Sequence, residues 1–385
     1  MKTYAAHLAD CRDLLAARPP MSIPVAASLG FVLATDVVAR ADLPAFASSA
    51  MDGYAVRVAD VPGLLRVVGE VAAGQSPAVA VDPGTAVRIM TGAALPDGTE
   101  AIVPLEEVEQ RGRVLHARMS TAPGRHLRPA GDDVRPGDIV LDQGQVVGAA
   151  QLAALISAGV TSVRVRPVWR VAVLSTGDEL VPAGRIPGPA QIIDCNGPAL
   201  AAAAIAAGAE VVHLGKLPDV PDVLIGALDA LPACDLIVTS GGVSMGAYDV
   251  VKAALKPLGI GFEQVAMQPG KPQGWGHFRG GPAFLGLPGN PAAALICFEL
   301  FGRATLGRER STSRAALGAC LLRTSDRKRQ FLRGRLAGTT VHVAAGPGSH
   351  LIVGLARADC LVVVPEGVSR IEAGEMVEVI PLRSA

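Results

Sequence analysis

The sequence is short of the features that mark nucleic-acid-binding proteins. Only 3% of its 385 residues are aromatic, and 35 lysines and arginines balance 35 aspartates and glutamates, so the formal net charge is zero. Without a basic excess, no overall field attracts nucleic acid or an acidic membrane surface. With few aromatic side chains, few platforms remain on which bases could stack. We therefore expect no nucleic-acid partner.

Clustered cysteine and histidine are also missing. The six cysteines are far apart and form no CxxC pair, which excludes a zinc site of the usual spacing and a disulfide framework. Most of them lie in apolar runs, as small core residues do. The seven histidines show no metal-ligand spacing either. This cysteine usage fits a reducing compartment, and we expect the protein to be cytoplasmic.

No stretch of the sequence is predicted to cross a membrane. The N-terminal segment MKTYAAHLADCRDLLAARPP carries Asp10 and Asp13 within its apolar pattern, which favours an amphipathic helix over a signal peptide. The longest uncharged stretch, residues 146–163, contains Gln151 and Gly159 and is typical of a buried helix. We expect no membrane partner.

The pattern of the remaining sequence changes along the chain, and a length of 385 residues predicts two to four domains. Between residues 38 and 142, short β-like runs separated by glycine and proline predict a small all-β module. Helical stretches at 2–17 and 149–158 flank this module, and we expect them to pair as one layer into which it is inserted.

From residue 168 to residue 307, strand patterns alternate with helix patterns. The predicted strands are WRVAVLS, AEVVHLG, DLIVTS and PAFLGL. Helices are predicted to begin near Asn196, which is placed as a cap, and at Pro221 and Pro291. Such alternation predicts βαβ units around a parallel sheet. Further β-like runs follow residue 308, namely FLRGRLAG, TTVHVAAG, LIVGLA, CLVVVPEG and EMVEVIPL.

The expected fold class is therefore multidomain α/β plus β. The predicted domains are a helical N-terminal layer (1–37 and 143–167), an inserted β domain (38–142), an α/β domain (168–307) and a C-terminal β barrel or sandwich (308–385).

Three of the predicted strands end in polar or glycine-rich turns. STGDEL contains Asp178 and Glu179, GGVSMGAYD ends at Asp249, and PGNP places Asn290 to cap the next helix. Ligands of open parallel sheets bind at the carboxyl ends of the strands, where glycines and helix N-termini favour phosphate. A turn or a helix cap explains each motif alone at least as well, but together they favour a ligand site. Carboxylates beside a phosphate would hold a divalent cation such as magnesium.

Polar residues in other turns leave two interpretations open. Lys271, in the Pro/Gly-rich loop MQPGKPQGWG, would either meet an oxyanion or be solvated. Asp52, Thr91 and Asp133 are, taken alone, ordinary turn residues. Ser349 of GPGSH could donate to an anion, although a plain turn explains it better on local grounds.

In this order, the motifs SAMDGYAV, RIMTGA, GDDV, STGDEL, DCN, TSGGVS, PGKP, GLPGNP and GSH resemble those of the molybdopterin molybdenumtransferase family, which includes the C-terminal domain of gephyrin. They span nearly the whole chain. The resemblance implies four domains, among them an α/β domain of the molybdopterin-binding type that is shared with molybdopterin adenylyltransferases. It also implies an elongated homodimer whose active cleft combines the α/β domain of one subunit with the inserted domain of the other.

The resemblance implies a reaction as well. Adenylylated molybdopterin and molybdate would be the substrates, magnesium the cofactor, and AMP would be released as molybdenum joins the dithiolene. The molybdopterin adenylyltransferase is implied as a further partner. Two alternatives stay open: a molybdopterin adenylyltransferase, against which the flanking β domains argue, and a receptor-binding scaffold without catalysis, for which the sequence shows no peptide groove.

Carried over by position, the resemblance assigns roles to individual residues. The catalytic set is Glu179, Asp178, Asp249 and Asp52, of which Asp178 and Glu179 would position magnesium. The substrate-binding set is Thr91, Asp133, Asp219, Ser240, Gly241, Gly242, Ser244, Pro288, Asn290 and Pro291. The molybdate-binding set is Lys271, Arg333 and Ser349, cationic and neutral donors that suit a dianion. The chain departs from the family pattern at Gln268, where many members have lysine, and at Phe46, Ala47 and Ser48, where Phe-Asp-Asn is usual.

Overall fold

The computed structural model describes residues 1–243, 250–322, 327–346 and 348–382, and the chain divides into two compact units. The first, here called the β-rich unit, is formed by residues 19–167. The second, the α/β unit, combines residues 1–18 with the chain from residue 168 onward. Within the described ranges, no helix is both long and apolar enough to span a membrane.

The helix predicted at the N-terminus is present as α1 (Tyr4–Asp13) and belongs to the α/β unit. Thr3 caps it, since the Thr3 hydroxyl accepts a hydrogen bond from the Ala6 N–H at 3.2 Å. Its buried side chains, Tyr4, His7 and Cys11, join the core of this unit.

The β-rich unit is built on one six-stranded sheet. Its elements are β1 (Met21–Pro24), β2 (Val37–Val38), β3 (Ser48–Ser49), β4 (Gly53–Val56), β5 (Gly63–Val71), β6 (Thr85–Ile89), β7 (Ala101–Pro104), β8 (Val108–Arg111), β9 (Val114–Ala117), β10 (Leu127–Arg128), β11 (Ile139–Leu141), α2 (Ala149–Ser157) and β12 (Ser162–Val165). The sheet has the order β7-β4-β6-β5-β9-β8, and only β5 and β6 in it run parallel. The strand-rich character predicted between residues 38 and 142 is confirmed.

Two helices that the sequence suggested as one layer belong to different units. Helix α2 packs against β11 within the β-rich unit, whereas α1 packs in the α/β unit. In the β-rich unit, β1 pairs with β12 and β2 pairs with β11, so chain from both sides of the predicted module is joined by short antiparallel ladders.

The α/β unit contains the predicted alternation of strands and helices. Its elements up to residue 305 are β13 (Arg170–Thr176), β14 (Leu180–Val181), β15 (Ile192–Ile193), α3 (Asn196–Ala206), β16 (Glu210–Leu217), α4 (Pro221–Asp229), β17 (Leu236–Ser240), α5 (Val250–Leu255), β18 (Ile260–Gln264), β19 (Met267–Gln268), β20 (Pro272–His277), β21 (Ala283–Leu287), α6 (Pro291–Cys297) and α7 (Arg303–Thr305). A π-helical segment (Phe298–Gly302) joins α6 to α7.

The central sheet is parallel in part only. Its order is β16-β13-β17-β21-β20-β18, and the first four strands run parallel as predicted. The last two, β20 and β18, run antiparallel to their neighbours. The prediction of a loop through MQPGKPQGWG was therefore wrong at both ends, because Met267–Gln268 form β19 and the chain from Pro272 forms β20, two strands that glycine and proline hid. The β17 and β21 strands are fully buried, which explains their unbroken apolar runs.

The predicted helix starts at Pro221 and Pro291 are confirmed, but Asn196 does not cap α3. The helix begins at Asn196 itself, and the carboxylate of Asp194 accepts hydrogen bonds from the N–H groups of Asn196 and Gly197 at 3.0 and 3.1 Å. Asp194 therefore satisfies the first backbone donors of the helix, as a capping side chain does. This leaves the Asn196 amide for other contacts.

The C-terminal part of the chain forms a closed β barrel. Its elements are β22 (Ser313–Leu317), β23 (Leu321–Leu322), β24 (Arg329–Ala337), β25 (Thr340–Val343), α8 (Ile352–Ala356), β26 (Cys360–Val364), β27 (Arg370–Ile371) and β28 (Met376–Pro381). Five strands close in the order β24-β25-β22-β28-β26, because β26 also pairs with β24. The prediction that LIVGLA is β-like was wrong. It forms α8, because a short apolar run suits a helix as well as a strand.

Candidate active site

A cleft of about 990 Å³ lies in the α/β unit at the carboxyl ends of β13, β17 and β21. The three strand-end motifs singled out in the sequence all contribute to it. Glu179 comes from STGDEL, Gly241 and Gly242 come from TSGGVS, and Asn290 comes from PGNP. The ends of parallel strands thus bring together residues that are more than 100 positions apart in the sequence.

Three acidic residues, Glu179, Asp194 and Asp219, line the cleft. The Asp178 side chain is exposed, and its backbone N–H donates to Asp219 Oδ2 at 3.0 Å. Gly177 has φ +136°, and a Cβ built there would lie 2.5 Å from Glu179 Oε2. Gly177 therefore makes the room that the Glu179 carboxylate occupies.

Within the described ranges, the structure places no complete metal site made of protein side chains alone. Among the described residues, no three Asp, Glu, His or Cys side chains gather closely enough to hold an ion. Asp249 and Ser244, assigned by the resemblance to the catalytic and substrate-binding sets, lie outside the described residues. A metal ion bound at this cleft would therefore need further ligands in addition to the described acidic side chains.

Close packing requires glycine at both positions after β17, Gly241 and Gly242. Gly241 and Gly242 have φ values of +93° and +68°, in the left-handed region that glycine favours. A Cβ on Gly241 would lie 2.5 Å from Thr176 Oγ1, and one on Gly242 would lie 2.1 Å from Val251 Cγ2. The Gly241 N–H donates to the Leu287 carbonyl at 3.0 Å, so this donor serves the fold.

Asn196 ties three parts of the cleft together. Its amide Nδ2 donates to Ser240 Oγ at 2.6 Å and to the Gly289 carbonyl at 2.7 Å. Ser240, predicted to bind substrate, is 2% exposed, and its hydroxyl reaches the Pro288 carbonyl at 3.5 Å. Asn196 was not predicted as a site residue. The DCN motif that contains it was the signal that could have found it.

The PGNP loop meets the loop after β25 through side chains. Asn290 stands at the start of α6 but forms no side-chain cap; its Nδ2 donates instead to Ser349 Oγ at 2.8 Å. Because the Ser349 hydroxyl accepts this bond, its own hydrogen is directed elsewhere and suits a ligand acceptor. Lys271, Pro288, Pro291 and Ser349 all line the cleft.

Arg333, assigned by the resemblance to molybdate, is almost completely buried at 1% exposure. Its Nη1 donates to the Gly348 carbonyl at 3.1 Å, and its Nη2 donates to the Gly346 carbonyl. Burial lowers the pKa of its guanidinium. In this structure Arg333 holds the loop that carries Ser349, and its contact with molybdate stays a prediction.

An apolar edge completes the cleft and consists of Leu180, Ile192 and Ile193. The two isoleucines are 55% and 45% exposed, so they present apolar surface at the cleft. The Ile192 N–H donates to the Glu179 carbonyl at 2.9 Å, so this edge and the acid are held by one short ladder between β14 and β15. Such a surface suits a flat heteroaromatic ring.

The remaining predicted residues, Asp52, Thr91 and Asp133, belong to the β-rich unit. Asp52 Oδ1 accepts hydrogen bonds from the Thr91 N–H at 2.6 Å and from the Thr91 hydroxyl at 2.8 Å. These bonds, the backbone one first, hold the pKa of Asp52 below its usual value. Asp133 is exposed in a turn, where its N–H donates to the Leu43 carbonyl at 2.9 Å.

A cleft at the carboxyl ends of parallel strands, lined by acids, a glycine turn and lysine, is typical of phosphate- or nucleotide-binding α/β proteins. Comparison with family models narrows this class. Residues 2–159 match the MoeA N-terminal region (domain I and II), residues 172–308 match a probable molybdopterin binding domain, and residues 322–382 match the MoeA C-terminal region (domain IV).

Individual relatives agree with these matches. Molybdopterin molybdenumtransferase 2 of Mycobacterium tuberculosis is 40% identical to this chain, and the match covers 98% of this chain and 99% of the relative. The molybdopterin molybdenumtransferase of Haemophilus influenzae is 33% identical, and the match covers 91% of each of the two chains. Two crystal structures of the MoeA molybdopterin biosynthesis protein from Pyrococcus horikoshii have TM-scores of 0.81 and 0.80, at 31% and 24% identity. The match to the first covers 100% of this chain and 99% of the chain in that structure, and the match to the second covers 99% and 100%. The chain belongs to the molybdopterin molybdenumtransferases, a family of enzymes.

Proposed function

We propose that this enzyme inserts molybdenum from molybdate into adenylylated molybdopterin and releases AMP. The observation that carries the proposal is the cleft at the carboxyl ends of three parallel strands, whose lining combines acids, an apolar edge and Lys271. This distribution matches two substrates: a nucleotide with a heteroaromatic ring and a phosphoanhydride, and a separate oxyanion. We further propose that the enzyme works as a cytoplasmic homodimer, and that it takes its substrate from a molybdopterin adenylyltransferase, as the family resemblance implies.

Each part of the cleft has a task in this reaction. The apolar edge, with Ile192 and Ile193, holds a ring and excludes water from one side. Lys271 and the Ser349 hydroxyl bind the molybdate oxygens through charge-assisted and neutral hydrogen bonds. Glu179 orients the water or molybdate oxygen that attacks the phosphoanhydride. Asn196 keeps the loops on either side in register, so that these groups stay preorganised.

The acids of the cleft fit magnesium. Magnesium usually binds one or two protein carboxylates together with substrate phosphates, so it does not require three protein acids. Glu179, with Asp178 or Asp219 beside it, would hold the ion. Its chemistry there would be to place positive charge on the phosphate oxygens.

Glutamate 179 provides the test of this assignment. Replacing Glu179 by glutamine keeps the shape of the side chain but removes its charge, and we expect AMP release to fall by at least about 100-fold. Because Glu179 is exposed, the circular dichroism spectrum and the unfolding temperature should not change. The matched control is Glu210→Gln, an exposed glutamate of the same unit on β16. A Glu179→Gln enzyme with the wild-type rate would contradict the proposed role.

A further inference from the structure

We infer that the Asn196–Gly197 pair at the wall of the cleft is a deamidation site, and that Asp194 and the start of helix α3 protect it while the chain is folded. Asparagine, a thermolabile residue, is scarce in this chain. Only Asn196 and Asn290 occur among the 385 residues, and both line the cleft. One is followed by glycine and the other by proline, and this difference decides which of the two can react.

Deamidation is a reaction between the asparagine side chain and the backbone that follows it. The nitrogen of Gly197 attacks Cγ of Asn196, a C–N bond forms, and Nδ2 leaves as ammonia with the proton from the Gly197 N–H. Water then opens the cyclic imide at either carbonyl and gives aspartate or isoaspartate, without an oxidant or a reductant. Glycine favours the attack because it has no side chain and the greatest backbone freedom. Pro291 has no N–H to lose, so Asn290 does not react by this route.

Close packing explains why glycine follows Asn196. Gly197 is buried, and a Cβ built on it would lie 2.9 Å from Ser175 Oγ and 3.0 Å from Asp194 Oδ2. Both distances are shorter than the usual contacts of a Cβ atom, so even alanine would press on these two oxygens. The fold therefore keeps glycine at a position where it makes the preceding asparagine reactive.

The folded chain opposes this reaction in two ways. Asp194 Oδ1 accepts hydrogen bonds from the N–H groups of Asn196 and Gly197 at 3.0 and 3.1 Å. A carboxylate bonded to the Gly197 N–H retains the proton that the attacking nitrogen has to lose. Helix α3 also holds ψ of Asn196 in the helical region, where the Gly197 nitrogen is turned away from the Asn196 Cγ. Deamidation therefore requires the start of the helix to open.

Loss of the Asn196 amide would remove its contacts in the cleft. Both of its hydrogens are used, in bonds from Nδ2 to Ser240 Oγ at 2.6 Å and to the Gly289 carbonyl at 2.7 Å. An ionised carboxylate has no hydrogen to donate, so its oxygens would face the lone pairs of the Gly289 carbonyl. It would also add negative charge beside Asp194 in the cleft. We expect this to lower activity, a consequence that rests on the proposed function.

The test measures deamidation at residue 196 by mass spectrometry of peptides from the full-length, unliganded protein. At the same pH and temperature, we expect the folded wild type to react at least about tenfold more slowly than the wild type unfolded in guanidinium chloride. Asp194→Ala should react about fivefold or more faster than the folded wild type, because it lacks the oxygen that caps the helix. Asp194→Ser keeps such an oxygen and should restore most of the protection. Asp222→Ala, which removes an exposed acid from the first turn of α4, is the matched control and should keep the wild-type rate.

Other outcomes overturn the inference. Equal rates in the folded and the unfolded wild type would contradict protection by the fold, and a wild-type rate in Asp194→Ala would show that Asp194 takes no part in it. An unfolded chain in which residue 196 reacts no faster than Asn290 would remove the site itself.

The consequence for activity has its own measurement. We expect AMP release by Asn196→Asp to be at least about tenfold slower than that of freshly purified wild type, because the cleft is no longer preorganised. Wild-type AMP release by this variant would overturn the consequence. Absence of AMP release from the wild type would contradict the proposed function, and this consequence with it, while the deamidation rates would stand.

Discussion

Glu179 owes its position to the residue two places before it. Gly177 lies at φ +136°, and its missing side chain leaves the space in which the Glu179 carboxylate sits. On the other side, the Glu179 carbonyl is fixed by the Ile192 N–H. An acidic side chain on a turn, such as the one we propose to be catalytic, is held only as well as such neighbours hold it.

This arrangement predicts the effect of a single methyl group. A Gly177→Ala substitution puts a Cβ 2.5 Å from Glu179 Oε2, so the carboxylate must move, and we expect AMP release to fall by at least about tenfold. Gly184→Ala is the control, since Gly184 also has positive φ, +89°, but no atom lies within 4 Å of its Cβ position. Both variants bear backbone strain, so equal losses of activity would contradict the displacement of Glu179.

Helix α1 contains one buried residue, His7, that makes stability depend on pH. His7 is fully buried, and its ring meets the Phe301 ring edge-on at a centroid distance of 4.6 Å. Burial, and to a lesser degree Lys2, lowers the pKa of His7 from 6.5 to about 4. The unfolded chain therefore takes up a proton below about pH 6.5 that the folded chain refuses until about pH 4.

We accordingly expect the α/β unit to lose stability as the pH falls from about 6.5 towards 4. The loss from this residue is about 3 kcal/mol, and above pH 6.5 it vanishes. Both tryptophans of the chain, Trp169 and Trp275, lie in this unit, so urea unfolding followed by tryptophan fluorescence reports on it. The pH dependence should be weaker in His7→Gln and unchanged in His342→Gln, an exposed histidine of the same unit. Parallel curves for the wild type and His7→Gln would disprove the assignment.

The π-helical segment between α6 and α7 depends on a glycine. A Cβ on Gly302 would lie 2.5 Å from Cδ2 of Phe298, a ring with no exposure. We expect Gly302→Ala to destabilise the α/β unit by about 1–3 kcal/mol, because the packed ring must shift. Gly226→Ala in α4 is the control, since no atom lies within 4 Å of its Cβ position, and it should stabilise by up to about 1 kcal/mol. Equal unfolding temperatures for the two variants would contradict this account.

Strong periodic elements could be predicted from the sequence, and weak ones could not. The apolar strands β13, β17 and β21 and the proline-started helices are where the pattern puts them, because burial on both faces leaves a clear signal. Strand β20 was missed because Pro272, Gly274 and Gly276 disfavour a strand locally, while pairing with β21 and β18 outweighs that preference.

Side-chain networks were beyond the reach of sequence reasoning. Asn196 was predicted as a cap, but Asp194 takes that role, and the Asn196 amide spans β17 and the PGNP loop. Nothing in the sequence around Arg333 indicates that it is buried, yet its guanidinium donates a hydrogen bond to the loop before Ser349. These contacts arise between distant segments, so only the folded chain brings them into view.

At the scale of the whole molecule, each of the two units carries a different set of candidate site residues. The α/β unit holds the cleft with Glu179, Asp219, Lys271 and Ser349. The β-rich unit presents the ionised Asp52, held by Thr91. Their roles as substrate ligands in a homodimer stay predictions, which analytical ultracentrifugation and single substitutions can examine.

The central claim is that this cleft transfers molybdenum, and one measurement tests it most directly. The purified enzyme is incubated with adenylylated molybdopterin and magnesium, with and without molybdate, and AMP is followed over time. The account predicts that AMP appears with molybdate in step with the molybdenum-loaded pterin, and that Glu179→Gln forms neither. No AMP under these conditions would contradict the account, and so would formation of adenylylated molybdopterin from ATP and molybdopterin without molybdate, which would mark an adenylyltransferase instead.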